Sequence, residues 1–230
     1  MTSPLGLQQP TLDVIAAAYA AVVLERQDAF ETLVGDASWD ADLGAARLQI
    51  GGRALRVALL GSASDADGSW LWAWDNPTFG PDHPTTRPLR SLVDVGREHD
   101  IPELVRATVP LSSLSDPGGG PAMTIVTAAC GLLGAGGYWP APYDGGVAYL
   151  AVLDGGVPVP VPDAMGLAEL MQRALGAYPY DNRLTVETYL GVHRLTARVE
   201  GTAVVAEVGA REARFEFDAA DRLVALEVSE

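Results

Sequence analysis

Acid–base chemistry needs carboxylates or imidazoles beside apolar surface, where their pKa values are tuned. One stretch of this chain offers that combination: Asp65, Asp67 and Asp75 flank Trp70, Trp72 and Trp74, and His83 and His99 follow. An enzyme built here would use those five polar groups around the tryptophans. No catalytic signature accompanies them. Gly-x-Ser-x-Gly is absent, which removes the usual serine-hydrolase elbow. Lysine is absent altogether, which removes Schiff-base and P-loop lysine chemistry. Asp65, Asp67 and Ser69 alternate like the opening of a calcium loop, but the next alternating ligand is missing and the position that needs a bidentate Glu is Asn76. Asp67-Gly68 therefore reads as a hairpin turn. His83, His99 and His193 are the three imidazoles, and no two have metal-ligand spacing. Gly131 to Gly137 is glycine-rich but follows a helical run, the wrong context for a dinucleotide fingerprint. Cys130, the single cysteine, lies in the apolar run Thr127–Leu133 with no neighbouring base. It reads as a buried structural thiol, and its solitude excludes an intramolecular disulfide. The residues call for no metal and no cofactor.

Recognition is the other chemistry the chain offers. Three of five tryptophans stand at alternate positions in Trp70-Leu-Trp-Ala-Trp74, and strand periodicity puts them on one face. Exposed, that face is a stacking platform for sugars, aromatic ligands or a partner's anchoring residues; buried, it is a core layer beneath a helix, the reading favoured by the energetics of burying large side chains. A second aromatic cluster, Tyr138, Trp139, Tyr143, Asp144 and Tyr149, is stiffened by Pro140 and Pro142. It reads as a preorganised recognition loop or as a loop packed on a sheet edge. Trp70, Trp72, Trp74, Asp75, Tyr138, Trp139 and Tyr143 are the candidate ligand-binding residues. If the two clusters adjoin, the first pocket to expect lies between them.

These two blocks also carry a likeness. Gly61-Ser leading into Trp70-Leu-Trp-Ala-Trp74, together with Ala129-Cys-Gly-Leu-Leu-Gly-Ala-Gly-Gly-Tyr-Trp-Pro-Ala-Pro-Tyr143, resembles a family of bacterial proteins known only as a domain of unknown function. The resemblance implies common ancestry; it implies no activity, cofactor or site residue.

Fifteen basic residues, all arginine, face thirty acidic ones, for a net charge of -15. Such a field repels nucleic-acid backbones and anionic membranes and attracts a basic protein. A basic protein or a small molecule is the expected partner, and a non-enzymatic binding or accessory role the expected function. The apolar stretch Val14–Leu24 is too short to span a membrane, has no basic residue before it and runs straight into Glu25-Arg26-Gln27-Asp28, so a buried helix in a cytoplasmic protein is expected.

Around these candidates the pattern predicts an α+β protein, antiparallel meanders packed with several helices, in one domain whose weakest point is the linker-like Ser115–Pro121. A helix capped by Thr11 or Asp13 runs to about Val34. Arg47–Ile50, Ala54–Leu60 and the tryptophan strand form the first meander. A proline-rich surface loop, 79–88, precedes a helix over Leu89–His99. Another helix covers Met123–Leu133, and Tyr138–Leu153 gives a strand pair around the Asp144-Gly-Gly146 turn. After the rigid connector Gly155–Pro162, Asp163 and Asp181 cap two more helices. Four alternating segments from Leu195 to Val228 make the second meander.

Overall fold

A computed structural model describes residues 10–229 and has the expected α+β class. Helix α1 spans Leu12–Val34: the Thr11 side chain accepts the Val14 N–H at 3.3 Å, and Gly35 at φ 53° ends it. Its alanines and valines are apolar around most of the circumference, and such a helix must be covered on several sides.

Seven strands form the larger sheet: β1 (Trp39–Asp42), β2 (Arg47–Ile50), β3 (Arg53–Ser64), β4 (Ser69–Trp72), β5 (Thr108–Pro110), β6 (Tyr138–Tyr143) and β7 (Gly146–Val152). Strand β3 is the spine. On one flank, residues 53–56 pair with β2 and residues 61–64 with β4; β7 pairs along 57–64 on the other flank and carries β6 outside it. Between the stretches paired with β2 and β4, the Leu59 N–H donates to the carbonyl and hydroxyl oxygens of Thr85 at 2.9 and 3.2 Å. The 79–88 segment is thus more than the surface loop its prolines suggest. It drives Thr85 and Thr86 fully into the core to complete the sheet.

Four helices follow the expected segments: α2 (Arg90–Glu98), α3 (Ala122–Leu133), α4 (Leu167–Ala177) and α5 (Asn182–Val192). The Asp181 carboxylate accepts from Leu184 N–H at 2.9 Å and caps α5 as expected. Asp163 does not cap α4. It accepts from Met165 and Gly166 in the turn ahead of it. The tail forms β8 (Ala197–Glu200), β9 (Ala203–Val208), β10 (Arg211–Phe217) and β11 (Leu223–Val228), a separate four-stranded sheet. Alternation shapes it: Val204, Phe215 and Leu226 share one face, whereas Arg198, Arg214, Glu200 and Glu216 share the other as a ladder of ion pairs. One hydrophobic core connects α1, both sheets and all five helices.

The tryptophan strand departs from expectation in its length. It stops at Trp72, because Asp75-Asn76-Pro77 pulls Ala73–Asp75 into a 3₁₀ turn closed by Asn76 N–H on the Ala73 carbonyl. Trp70 and Trp72 are wholly buried, in line with the core reading, as an edge-to-face pair with ring centroids 5.5 Å apart. Gly61 makes room for them. A Cβ on Gly61 would stand 2.3 Å from the Leu71 carbonyl oxygen and 2.7 Å from the Trp70 ring. Gly61→Ala should therefore destabilise the fold by about 2–3 kcal/mol, the upper range for overpacking a core. Urea unfolding reads this directly, and an unchanged midpoint would contradict the close β3–β4 packing.

Candidate functional site

The two aromatic blocks flank the same strand, but Trp74 and Tyr138 line separate recesses. Gly61 pairs with Trp72 on one side and Tyr149 on the other, and Tyr149 reaches across to stack obliquely on Trp70 at 5.7 Å. Trp139 pairs with Leu150, so it projects from the face opposite Tyr149 and meets Phe30 and Trp39 edge-on. Pro140 and Pro142 lie in edge strand β6, where a missing N–H is tolerated, and not in a loop. The remaining candidates scatter. Trp74, half-buried, lines a groove of about 310 Å³ with Arg90 and Arg97. Tyr138 lines an apolar recess of about 210 Å³ with Met123 and Tyr178. Tyr143 ends β6 and Asp75 ends the 3₁₀ turn after β4, both exposed.

The acidic and imidazole candidates do not converge either. Asp65 and Asp67 sit exposed in the β3–β4 turn, where hydrogen bonds from Ser64 and Ser69 hold the Asp67 carboxyl below its usual range. Asp75 lies at the far end of β4. His83 stacks edge-on with Phe79 and accepts the Thr85 N–H through Nδ1, and His99 is the C-terminal cap of α2. Among the described residues no three of His, Cys, Asp and Glu gather closely enough to hold a metal ion.

Carboxylates converge elsewhere, in a cleft of about 350 Å³ where α1, α4 and α5 meet the proline-rich connector. Glu25 and Asp28, one turn apart on α1, share it with Asp163 before α4 and Glu169 on α4. The facing cation is Arg173. Its guanidinium grips Asp28 in a fork at 2.6 and 2.9 Å, which raises its pKa. Tyr189 of α5 donates to Glu25 Oε1 at 2.7 Å, and burial followed by that carboxylate drives the phenol pKa up. One turn on, His193 packs its ring on Tyr189 and brings Nε2 to 2.8 Å from Glu25 Oε2. That contact is an ion pair whenever the imidazole is protonated, although the two atoms are not aligned as a hydrogen bond. Four carboxylates thus face one guanidinium. At the rim, the Val161 side chain stands 87 % exposed.

None of these cleft residues is singled out by the sequence. Glu25 and Asp28 read there as the charged flank of an apolar helix, and only their i, i+3 spacing, which shares one helix face, hints at a common target. Their partners Arg173 and Tyr189 lie 145 and 164 residues away.

An α+β fold with a charged, concave surface is the structural class. The chain belongs to a family of unknown function, DUF6882, whose family model matches residues 13–155. No curated protein and no solved structure matches it. The match holds α1, the larger sheet, α2 and α3; α4, α5 and the four-stranded sheet lie beyond it.

Cys130, inside the matched span, is fully enclosed, and burial pushes its thiol up to about 12 from an ordinary 9.0 despite the opposing effect of Arg26. Tyr178 is pushed up to about 12 in the same way. Both hold their protons in the folded state at pH values where the unfolded chain releases them. The stability this confers is complete below about pH 9 and is lost as pH rises toward 12. Urea midpoints should therefore fall between pH 8 and pH 10.5, with a shallower fall in Cys130→Ala, and native Cys130 should resist a thiol reagent at pH 8. Rapid labelling of folded protein would show the thiol to be accessible.

Proposed function

We propose that the protein is a non-enzymatic, cytoplasmic binding or accessory module whose acidic cleft receives a basic group of a partner protein. One observation carries the reading: Glu25, Asp28, Asp163 and Glu169 face the single cation Arg173 in a recess large enough for a long basic side chain. A basic group entering there gains charge-assisted hydrogen bonds in partly desolvated surroundings. The exposed Val161 offers apolar contact beside it. The overall charge of -15 adds long-range attraction and accelerates encounter. Trp70 and Trp72 support this function indirectly, as core, while Trp74, Asp75, Tyr138, Trp139 and Tyr143 stay candidates for contacts outside the cleft. The enzyme reading at Asp65, Asp67, Asp75, His83 and His99 draws no support from their separated positions.

A fluorescent hexa-arginine peptide is a suitable probe. It should bind with an affinity that falls as salt rises, and Asp163→Asn combined with Glu169→Gln should weaken it roughly three- to tenfold, since two exposed charges contribute a few tenths to about 1 kcal/mol each. Equal binding by wild type and the double variant would move the site elsewhere, and no binding at low salt would remove the proposal.

A further inference from the structure

The preceding residues of the same connector line a cavity of opposite character, about 430 Å³ in volume, with Arg26 of α1 and Arg56 of β3 in its wall. Neither guanidinium has a carboxylate oxygen within 4.0 Å of its nitrogens among the described residues, in a chain with two acidic residues for every arginine. Arg26 Nη1 donates to the Ala135 carbonyl at 3.1 Å, and Arg56 Nη2 donates to the Leu153 carbonyl. Among the described residues the remaining donors of each guanidinium have no protein acceptor. Arg47 pairs directly with Arg56 across the β2–β3 hairpin, a juxtaposition of like charges that is unfavourable in an empty sheet.

The cavity also holds one carboxylate, Asp154, which is already engaged. Its Oδ2 accepts from Arg56 N–H at 3.0 Å and its Oδ1 from Gly156 N–H at 2.8 Å, and these bonds hold its pKa below the usual range. It offsets one of the two cavity arginines and leaves positive charge in excess. Arg26 is partly desolvated, and that burial pulls its pKa down. A half-buried cation without a counter-ion carries a penalty that an anion relieves. The rest of the wall is glycine backbone and the apolar side chains of Leu133, Val152 and Val157.

We propose that this cavity binds a small oxyanion, a carboxylate or phosphate group attached to an apolar body, with Arg26 and Arg56 gripping the oxygens and Leu133, Val152 and Val157 covering the body. Guanidinium forks match both kinds of oxyanion, and the volume suits a small metabolite. The site is independent of the acidic cleft. Its arginines come from within the residues matched by the family, whereas the cleft draws on α4 and α5 beyond them.

Amide-detected NMR titration with benzoate, inorganic phosphate and sodium chloride, at constant ionic strength, tests it. Benzoate or phosphate should produce saturable shifts at Gly134, Gly136 and Gly155. Tighter binding of benzoate assigns the ligand as an organic carboxylate, and tighter binding of phosphate as a phosphate ester. Arg56→Gln, at an exposed position, should weaken binding at least tenfold, Arg26→Lys should weaken it while keeping the charge, and Arg53→Gln, outside the cavity, should leave it unchanged. Non-saturating shifts, equal shifts with chloride, or undiminished binding by Arg56→Gln would overturn the proposal.

Discussion

Burial of α1 on nearly every side is the constraint from which the other elements take their places. A helix whose Ile15, Ala16, Ala17, Ala20, Ala21 and Val22 are all inaccessible needs covering elements around it, and α3, α4 and α5 supply them. Small side chains let these neighbours approach closely: a Cβ at Gly131 of α3 would lie 2.2 Å from the Tyr19 ring. Gln27, itself buried, accepts the Tyr138 N–H at 2.8 Å and donates to Glu31 at 2.9 Å, tying the helix to the sheet edge.

The same constraint creates the charged surfaces. Consecutive residues on a helix point about 100° apart, so the polar run Glu25-Arg26-Gln27-Asp28 fans outward in different directions. Glu25 and Asp28 reach the acidic cleft, Gln27 meets β6, and Arg26 reaches the basic cavity. The connector passes between the two recesses, giving Pro160 and Val161 to one and Val157, Pro158 and Val159 to the other. Its prolines keep it extended without ladder partners, which suits a segment that lines two recesses in succession. Charge separation across one chain segment, in a protein with a large negative excess, concentrates the chemistry there. The aromatic blocks serve a different end: Trp70, Trp72 and Tyr149 weld β4 to β7 across Gly61, and Trp139 joins Phe30 to Trp39.

Much of the local structure is legible in the chain. Thr11 and Gly35 bound α1, Asp181 starts α5, and alternation delineates β9, β10 and β11, because capping, left-handed glycine and a period of two act within a few residues. Local signals mislead where distant partners intervene. Pro140 and Pro142 suggest a loop, yet pairing with β7 holds them in an edge strand; the prolines of 79–88 suggest a surface loop, yet a gap beside β3 draws Thr85 and Thr86 inward. β5 has only three residues, and β1, exposed along most of its length, lacks the in-out alternation that marks β2.

By itself, then, the amino-acid sequence determined the α+β class, the acidic charge, the lack of lysine or disulfide chemistry, the bounds of most elements and the preference of the tryptophans for a core. Tertiary structure alone decided that β7 and β4 share β3, that the meanders are separate sheets, and that Glu25 and Asp28 meet Arg173 and Tyr189 while Arg26 and Arg56 line one cavity. The physical reason is range. Propensity and capping are written in neighbours along the chain, whereas a recess exists only after apolar burial has brought segments more than a hundred residues apart around one helix.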